Sequence, residues 1–302
     1  MAIGKSEIIY KITSFIPKGK VSTYTSLADL SGVKSPRLVG NLLHQNLDPE
    51  KIPCHRVVNS SGLVAINYAF GGVGEQIRKL REEGVGIIGK KVNLSKHLWQ
   101  PNKVLVLYFD LLKQYGAPGL WPWFGGDKPH TREEIALGAI LTQNTNWRNV
   151  KAALGNLREE GAITIKQIYH LGRGDFEKLK VLIRPSGFYN QKAERLFSFS
   201  KYIIENFQGL ENFFELPLRQ AREKLLTIKG IGKETADTIL LYAGEKPIFV
   251  IDNYTVKFVK AYNLSETTAY DSLQKLFITS LPKNAKVYQE YHALIVRWGK
   301  ET

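Results

Sequence analysis

The only cysteine of this 302-residue chain, Cys54, lies between Pro53 and two potentially cationic residues, His55 and Arg56. A chain with one cysteine cannot form an internal disulfide, so the thiol either packs as a small apolar side chain or reacts. Most solitary cysteines pack. An adjacent histidine and a nearby positive charge help a thiol with a free pKa of about 8.5 to act as a nucleophile at neutral pH. The motif therefore indicates a reactive cysteine.

Several further motifs surround Cys54. They are Pro-Lys-Gly-Lys-Val-Ser-Thr-Tyr at 17–24, Ser-Pro-Arg-Leu-Val-Gly-Asn at 35–41 and Ile-Pro-Cys-His-Arg-Val-Val at 52–58. The pattern extends through Asn-Tyr-Ala-Phe-Gly-Gly to a Glu-Glu-Gly-Val run at 82–85. These motifs are similar to the DNA-binding domain of the O6-alkylguanine-DNA alkyltransferases, and the Pro-Cys-His-Arg-Val core is highly specific.

The resemblance covers residues 4–90 and implies transfer of an alkyl group from guanine oxygen to sulfur. By this resemblance Cys54 is the nucleophile, His55 takes its proton through a water molecule, and Glu83 orients the histidine. The thioether product is not regenerated, so each molecule is expected to react once.

The target guanine must leave the base stack, which costs a few kcal/mol. The resemblance implies that Arg37 fills the vacated gap and that Tyr24 crowds the phosphate and helps the nucleotide to rotate. It also implies that Tyr68 packs on the extruded guanine and that Asn46 ties down the cysteine turn. The ordinary alternatives are a phosphate contact for Arg37, a core position for Tyr68 and a helix cap for Asn46; the motif favours the functional roles.

A second set of residues suited to chemistry lies near the other end of the chain. Gly230 and Gly232 flank an isoleucine directly before a predicted helix, and Asp252 follows an apolar run. Glycines let the backbone approach closely, and a helix amino terminus presents unpaired N–H groups that suit a phosphate. A hairpin with a downstream aspartate resembles the helix-hairpin-helix DNA glycosylases of the endonuclease III superfamily, and this resemblance covers residues 101–302.

The glycosylase resemblance assigns roles to these residues. Asp252 matches the essential carboxylate that stabilises the oxocarbenium-like charge as the glycosidic bond breaks, although it could also cap the helix from Asn253. The hairpin glycines and Lys233 are expected to bind DNA. Bifunctional relatives carry a lysine nucleophile two residues after the second hairpin glycine, where this chain has Glu234. We therefore expect a monofunctional glycosylase that uses water.

The choice of base is indicated by aromatic residues. The segments 121–123, 139–147 and 184–191 resemble the 3-methyladenine DNA glycosylases of the same superfamily. Alkylation of a ring nitrogen gives the base a positive charge, and aromatic faces bind a cation in preference to a neutral base by roughly 0.5–2 kcal/mol. Excision of alkylated purines, 3-methyladenine and potentially 7-methylguanine, is therefore expected.

Particular side chains are expected to form this base pocket. We predict that Trp147 and either Trp121 or Trp123 sandwich the base. Gln143 resembles the residue that fills the emptied stack. The alternative for each tryptophan is an ordinary core position.

The charge of the chain points to a polyanionic partner. The net charge of +14 is shared equally, because residues 1–96 carry 14 Lys and Arg against 7 Asp and Glu, and residues 97–302 carry 28 against 21. Double-stranded DNA is the first candidate, and a lysine-rich thermophile surface is the alternative. The chain shows no signal peptide and no apolar run long enough to span a bilayer. We expect a soluble, cytoplasmic or nucleoid-associated monomer without a membrane partner.

The element pattern predicts a mainly α protein. A short helix, a glycine turn and a second helix within residues 26–45 indicate a helix-turn-helix. Residues 1–96 are predicted to form a small winged-helix-like alkyltransferase domain. Residues 97–302 are predicted to form an all-α helix-hairpin-helix glycosylase domain, with the boundary between 92 and 102.

No catalytic metal is predicted, because the histidines lack metal-ligand spacing. Relatives with an iron–sulfur cluster carry four cysteines beyond the last helix, where this chain ends, so no cluster is expected; a monovalent cation could bind the hairpin carbonyls. Two alternatives remain open. The second domain could be a mismatch thymine or uracil glycosylase, or the first could be a non-catalytic lesion sensor, although such relatives lack the cysteine that Cys54 supplies.

Overall fold

The computed structural model of the chain describes residues 3–118 and 130–302. The chain forms two compact units. The units comprise Met1–Ala117 with Ser280–Pro282, and Pro118–Thr279 with Lys283–Thr302. Among the described residues, no helix is both long enough and apolar enough to cross a membrane.

The described residues of the first unit form six α-helices around two small pairs of strands. The helices are α1 (Lys5–Ser14), α2 (Tyr24–Ser31), α3 (Pro36–His44), α4 (Gly72–Glu82), α5 (Leu94–His97) and α6 (Lys103–Tyr115). The strands are β1 (Ser22–Thr23), β2 (Val57–Val58), β3 (Ile87–Ile88) and β4 (Lys91–Val92).

The strands fix the position of the cysteine turn. Strand β1 pairs in parallel with β2, with Ser22 opposite Val57, and β3 pairs antiparallel with β4. A buried valine- and leucine-rich cluster that includes Val58 and Leu80 packs beneath them. Because β2 directly follows the turn that carries Cys54, this core holds the turn from one side.

Helices α2 and α3 form the predicted helix-turn-helix. Thr23 begins α2 as its N-cap, its hydroxyl accepting a hydrogen bond from the Ser26 amide at 3.0 Å. Gly32 ends α2 with φ of 69°, a left-handed conformation that glycine adopts without a Cβ clash. Both signals are local, which is why the sequence predicts this element well.

Helix α6 belongs to the first unit, whereas the sequence prediction placed the domain boundary between residues 96 and 97. Phe15 contacts the ring of Phe109 on α6 edge-on, with centroids 5.4 Å apart. Tyr108 also packs on Phe15 at 5.8 Å. The apolar face of α6 is thus buried against α1, and the compact units separate after residue 117.

The second unit contains eleven α-helices within its described residues. They are α7 (Arg132–Leu141), α8 (Trp147–Glu159), α9 (Ile165–Gly174), α10 (Phe176–Ile183), α11 (Tyr189–Phe207), α12 (Leu210–Phe214), α13 (Leu218–Leu226), α14 (Lys233–Thr238), α15 (Asn253–Ala261), α16 (Tyr270–Ser280) and α17 (Ala285–Glu301). No strand occurs in residues 130–302, so the all-α prediction is confirmed for this part of the chain. A capping box begins α7, with Thr131 and Glu134 exchanging hydrogen bonds.

A buried carboxylate braces the hairpin between α13 and α14. Asp237 is fully buried and accepts two hydrogen bonds from Arg222, at 2.6 and 3.0 Å. It also accepts one from the Tyr270 hydroxyl and one from Gln274, both at 2.7 Å. Gln274 in turn donates to the Phe249 carbonyl at 2.7 Å, close to Asp252 in the chain. The network therefore connects both sides of the hairpin with the segment that carries Asp252.

The Asp237→Ala substitution is expected to lower the free energy of unfolding of the second unit by about 3–5 kcal/mol, because it removes a fully buried acceptor and leaves the partly buried Arg222 guanidinium without its partner. Denaturant unfolding measures this change. The matched control is Asp271→Ala, which removes an exposed carboxylate 2.7 Å from Lys233 and should cost no more than about 1 kcal/mol. Equal losses in the two variants would contradict the bracing role.

Candidate active sites

Cys54 begins a single turn of 3₁₀ helix, Cys54–Arg56, and only 6% of its surface is exposed. The side-chain amide of Asn46 donates to the Ile52 carbonyl at 3.0 Å and lies 3.6 Å from the Cys54 sulfur. Asn46 is itself buried. The structure thus places Asn46 where it can both hold the turn and donate a hydrogen bond to the sulfur.

His55 and Glu83 also meet at this turn. The Nε2 atom of His55 lies 2.9 Å from a Glu83 carboxylate oxygen. Because an ionised carboxylate only accepts hydrogen bonds, Nε2 must carry the proton, which leaves the lone pair of a neutral ring on Nδ1. Nδ1 is buried and has no hydrogen-bond partner among residues 3–118 and 130–302. The imidazole is therefore arranged to accept a proton at Nδ1.

Arg56 is the second partner of Glu83, which the sequence did not reveal. Its Nε and Nη2 atoms donate to the two carboxylate oxygens at 2.9 and 2.7 Å, and Nη1 donates to the Ile16 carbonyl at 2.6 Å. The two side chains are 16% and 10% exposed, so the pair is largely removed from water. Arg56 therefore holds the Glu83 carboxylate in the position in which it contacts His55.

The electrostatics of this group keep the histidine neutral. Burial lowers the pKa of His55, and the charges of Arg56 and Lys79 act in the same direction, whereas Glu83 opposes them. Burial alone would raise the pKa of Glu83, but its hydrogen bonds with Arg56 and His55 outweigh that effect and lower the pKa. At neutral pH the site therefore holds an ionised glutamate beside an uncharged imidazole.

Gln76 is a further residue that sequence reasoning missed. It is fully buried on α4 and donates from Nε2 to the carbonyls of His55 and Val57, each at 3.0 Å. Its Oε1 accepts from the Ala65 amide at 2.8 Å. The side chain therefore holds the backbone on both sides of Arg56. No local spacing in the sequence predicts this contact.

The remaining residues of the predicted front site lie on different elements of the first unit. Tyr24 begins α2, and Arg37 is the exposed second residue of α3. Tyr68 is 8% exposed. Burial raises the pKa of both tyrosines, and the charge of Cys54 adds to the increase, so both rings lie within electrostatic reach of the sulfur.

Asp252 divides its two carboxylate oxygens between two tasks. Oδ1 caps α15 by accepting from the amide and the hydroxyl of Thr255, at 2.7 and 2.8 Å. Oδ2 lies 3.4 Å from Nε2 of His292, and the Asp252 side chain is 16% exposed. The capping role and the contact with His292 therefore coexist in one residue. Burial by itself would raise the pKa of Asp252, but His292 and Thr255 outweigh it and lower the pKa.

His292 was not predicted from the sequence. It lies on α17, is 5% exposed, and its Nδ1 is 2.7 Å from the Tyr242 hydroxyl. Tyr242 thus sets the orientation of the ring that faces Asp252. Glu234 belongs to the same neighbourhood, since loss of hydration and then the charge of Asp252 raise its pKa.

The hairpin has the predicted form. Gly230 has φ of 88°, and Gly232 is the N-cap of α14. Lys233 is exposed, and its ammonium group pairs with Asp271 at 2.7 Å, a partner that sequence spacing did not indicate. In the structure this lysine already has a carboxylate partner.

The structure describes some of the residues that were predicted to form the base pocket. Trp121 and Trp123 lie outside the described residues. Trp147 is the first residue of α8 and contacts His130 edge-on, with ring centroids 6.1 Å apart. Gln143 lies in the turn between α7 and α8, and its amide contacts Gly230 and Thr235. The structure therefore brings Gln143 to the hairpin.

Two family profiles match the chain. Residues 6–85 match the 6-O-methylguanine DNA methyltransferase DNA binding domain. Residues 137–283 match the HhH-GPD superfamily of base excision DNA repair proteins. The two matches follow one another in the order in which the candidate sites occur.

Individual relatives agree with the profiles. A protein of Methanocaldococcus jannaschii, assigned provisionally to the DNA repair glycosylases, is 43% identical over 198 residues, 65% of this chain and 86% of the relative. A bifunctional methyltransferase/endonuclease of Picrophilus torridus is 38% identical over 67% of this chain and 61% of that protein. Alkyltransferase-like protein 1 of Schizosaccharomyces pombe is 39% identical over 31% of this chain and 92% of that protein.

One solved structure is similar to the second unit in both sequence and fold. It is the 3-methyladenine DNA glycosylase of H. pylori bound to 1,N6-ethenoadenine, which is 36% identical to this chain. The similarity covers 66% of this chain and 94% of that protein, with a TM-score of 0.54. A complex of endonuclease III with DNA shares the fold, at 18% identity and a TM-score of 0.52.

Proposed function

Because the chain belongs to the HhH-GPD superfamily of base excision DNA repair proteins and carries a 6-O-methylguanine DNA methyltransferase DNA binding domain before it, we propose that it repairs two kinds of alkylated purine. The first unit transfers an alkyl group from O6-alkylguanine to Cys54. The second unit hydrolyses the glycosidic bond of 3-methyladenine.

The observation that best supports the proposed alkyl transfer is the hydrogen bond between His55 and Glu83. It leaves the lone pair on His55 Nδ1, so the ring can take the thiol proton through a water molecule while Glu83 stabilises the imidazolium that forms. The Cys54 thiolate then attacks the alkyl carbon, the carbon–oxygen bond breaks, and guanine leaves as its anion, which takes a proton from water. The Asn46 amide stabilises the thiolate before attack.

The observation that best supports the proposed excision of 3-methyladenine is the contact between Asp252 and His292. A charged Asp252, held by the Thr255 cap, stabilises the positive sugar as the bond to the alkylated base breaks. A base that already bears a positive charge leaves as a neutral molecule, so little acid catalysis is needed. Glu234 stands where a lyase would have its lysine. Water therefore adds to the anomeric carbon of the sugar and releases a proton to the solvent, and the DNA strand is not cut.

A product assay on methylated duplex DNA tests both activities. The wild type should release free 3-methyladenine and remove the methyl group from O6-methylguanine, without strand cleavage. Release of thymine or uracil from mismatches in place of 3-methyladenine would favour the mismatch glycosylase. Tight binding to O6-methylguanine DNA without methyl transfer would favour a lesion sensor, the class suggested by the alkyltransferase-like relative.

The pH dependence of alkyl transfer should follow His55. Because burial lowers its pKa below the ordinary value of about 6.5, the ring remains neutral at pH 7 and the transfer rate should fall only at lower pH. In Glu83→Gln the imidazolium loses its partner. The acid limb should therefore move to still lower pH, and the rate at pH 7 should fall by about 100-fold.

Single-turnover transfer from O6-benzylguanine, followed across the pH range, measures this profile. Glu82→Gln is the matched control, since Glu82 is the exposed last residue of α4, directly before Glu83, and the substitution should leave the profile unchanged. An acid limb that moves to higher pH in Glu83→Gln would contradict the assigned proton acceptor.

A further inference from the structure

The side-chain amide of Gln143 forms hydrogen bonds with both the hairpin region and helix α11. Its Nε2 donates to the Gly230 carbonyl at 3.1 Å and to the Thr235 hydroxyl at 2.8 Å. Its Oε1 accepts a hydrogen bond from Arg195 Nη1. A half-buried glutamine in a surface turn is thus held at both ends of its amide, which is unusual because such side chains normally retain much rotamer freedom.

Arg195 is built into the hairpin surface. A Cβ at Gly230 would lie 2.6 Å from the Arg195 Cγ, so only glycine allows the arginine stem to pack this closely. The φ of 88° at Gly230 has the same requirement. The two residues therefore form one continuous contact between α11 and the hairpin.

The base of the Gln143 turn is fixed by the same helix. Lys192, one turn before Arg195, is 1% exposed and donates to the Leu141 carbonyl at 2.9 Å and the Ser186 carbonyl at 2.6 Å. Leu141 is the last residue of α7, directly before the turn. Helix α11 thus holds the backbone of the turn with one cation and the Gln143 side chain with the next.

We propose that Arg195 is a positioning residue that holds Gln143 against the hairpin, so that phosphate binding and filling of the emptied base stack use one preorganised surface. Ordering a free glutamine on DNA would reduce affinity, and Arg195 orders it beforehand. The inference rests on the proposed function only in assigning Gln143 to the gap left by the extruded base.

The test is a double-mutant cycle on DNA binding. The measured quantity is the ratio of affinities for a duplex with a tetrahydrofuran abasic-site analogue and for the same duplex intact. Arg195→Met should lower this ratio about three- to tenfold in the wild-type background. In Gln143→Ala it should change the ratio less than about twofold, because the side chain that it positions is gone.

A phosphate contact would behave differently. It would weaken both duplexes in both backgrounds and reduce the salt slope by about 0.9, whereas a positioning role predicts a smaller change of slope. Lys201→Met is the charge control, since Lys201 is exposed on the same helix and should leave the ratio unchanged. Equal losses for Arg195→Met in both backgrounds would overturn the proposal.

If Arg195→Met does not fold, Thr235→Val tests whether Gln143 must be held against the hairpin. It removes the hydroxyl that accepts from Gln143 and leaves Arg195 intact, so it should lower the ratio in the wild type but not in Gln143→Ala. The same loss in both backgrounds would also overturn the proposal. Because the assay needs no excision, a wild type that releases no 3-methyladenine would refute the proposed function and leave this test valid.

Discussion

The Cys54→Ser variant is expected to take no benzyl group from O6-benzylguanine, whereas every wild-type molecule takes one. A serine hydroxyl is a far weaker nucleophile than a thiolate, and His55 is placed to serve a thiol, so the transfer rate should fall by more than about 1,000-fold. Intact-protein mass measures the adduct directly. A single adduct in the wild type would also show that the reaction stops after one turnover.

Binding of DNA provides the control for this variant. Serine is close to cysteine in size and can accept the Asn46 hydrogen bond, so the fold and the affinity for DNA should be retained. An adduct that persists in Cys54→Ser would place the nucleophile elsewhere. A wild type that binds O6-benzylguanine DNA but stays unmodified would make the first unit a sensor.

The Asp252→Asn variant is expected to release 3-methyladenine about 100- to 1,000-fold more slowly than the wild type. The substitution removes the negative charge opposite the developing positive sugar. It keeps an oxygen that can cap α15, and asparagine caps helices as well as aspartate does, so the stability should change little. Release of the free base from methylated DNA measures the rate, and thermal unfolding measures the stability.

Asp175→Asn is the matched control for Asp252→Asn. Asp175 caps α10 by accepting from the Lys178 amide at 2.9 Å, and it is exposed. The same chemical change at this cap should leave base release unaltered. If both variants lost activity equally, Asp252 would be acting only as a cap.

The parts of the fold that were predicted correctly depend on local signals. The helix-turn-helix was predicted from the glycine turn at Gly32, which ends α2. The caps at Thr23 and Thr131, which begin α2 and α7, are equally local signals. The boundary after residue 117 was not predictable in this way. The helical pattern of α6 shows an apolar face, but only the folded chain shows that this face packs on Phe15.

In the candidate sites, too, the residues found from the sequence have a local or family signal, whereas their distant partners have none. Cys54 and His55 are adjacent in the sequence, and Glu83 was assigned only through the family resemblance. Arg56 was noted for its charge, yet its pairing with Glu83 spans 27 positions and has no spacing signature. His292 is likewise far along the chain from Asp252, and Arg195 is 52 positions from Gln143. Such partners are selected by helix packing, which no pattern of one segment encodes.

The most direct test of two independent reactions uses one methylated duplex containing both O6-methylguanine and 3-methyladenine. The wild type, Cys54→Ser and Asp252→Asn are each incubated with it, and protein mass and released base are measured together. We predict that Cys54→Ser releases 3-methyladenine without gaining a methyl group, and that Asp252→Asn gains the methyl group without releasing the base. Loss of both products in either single variant would contradict two separate active sites.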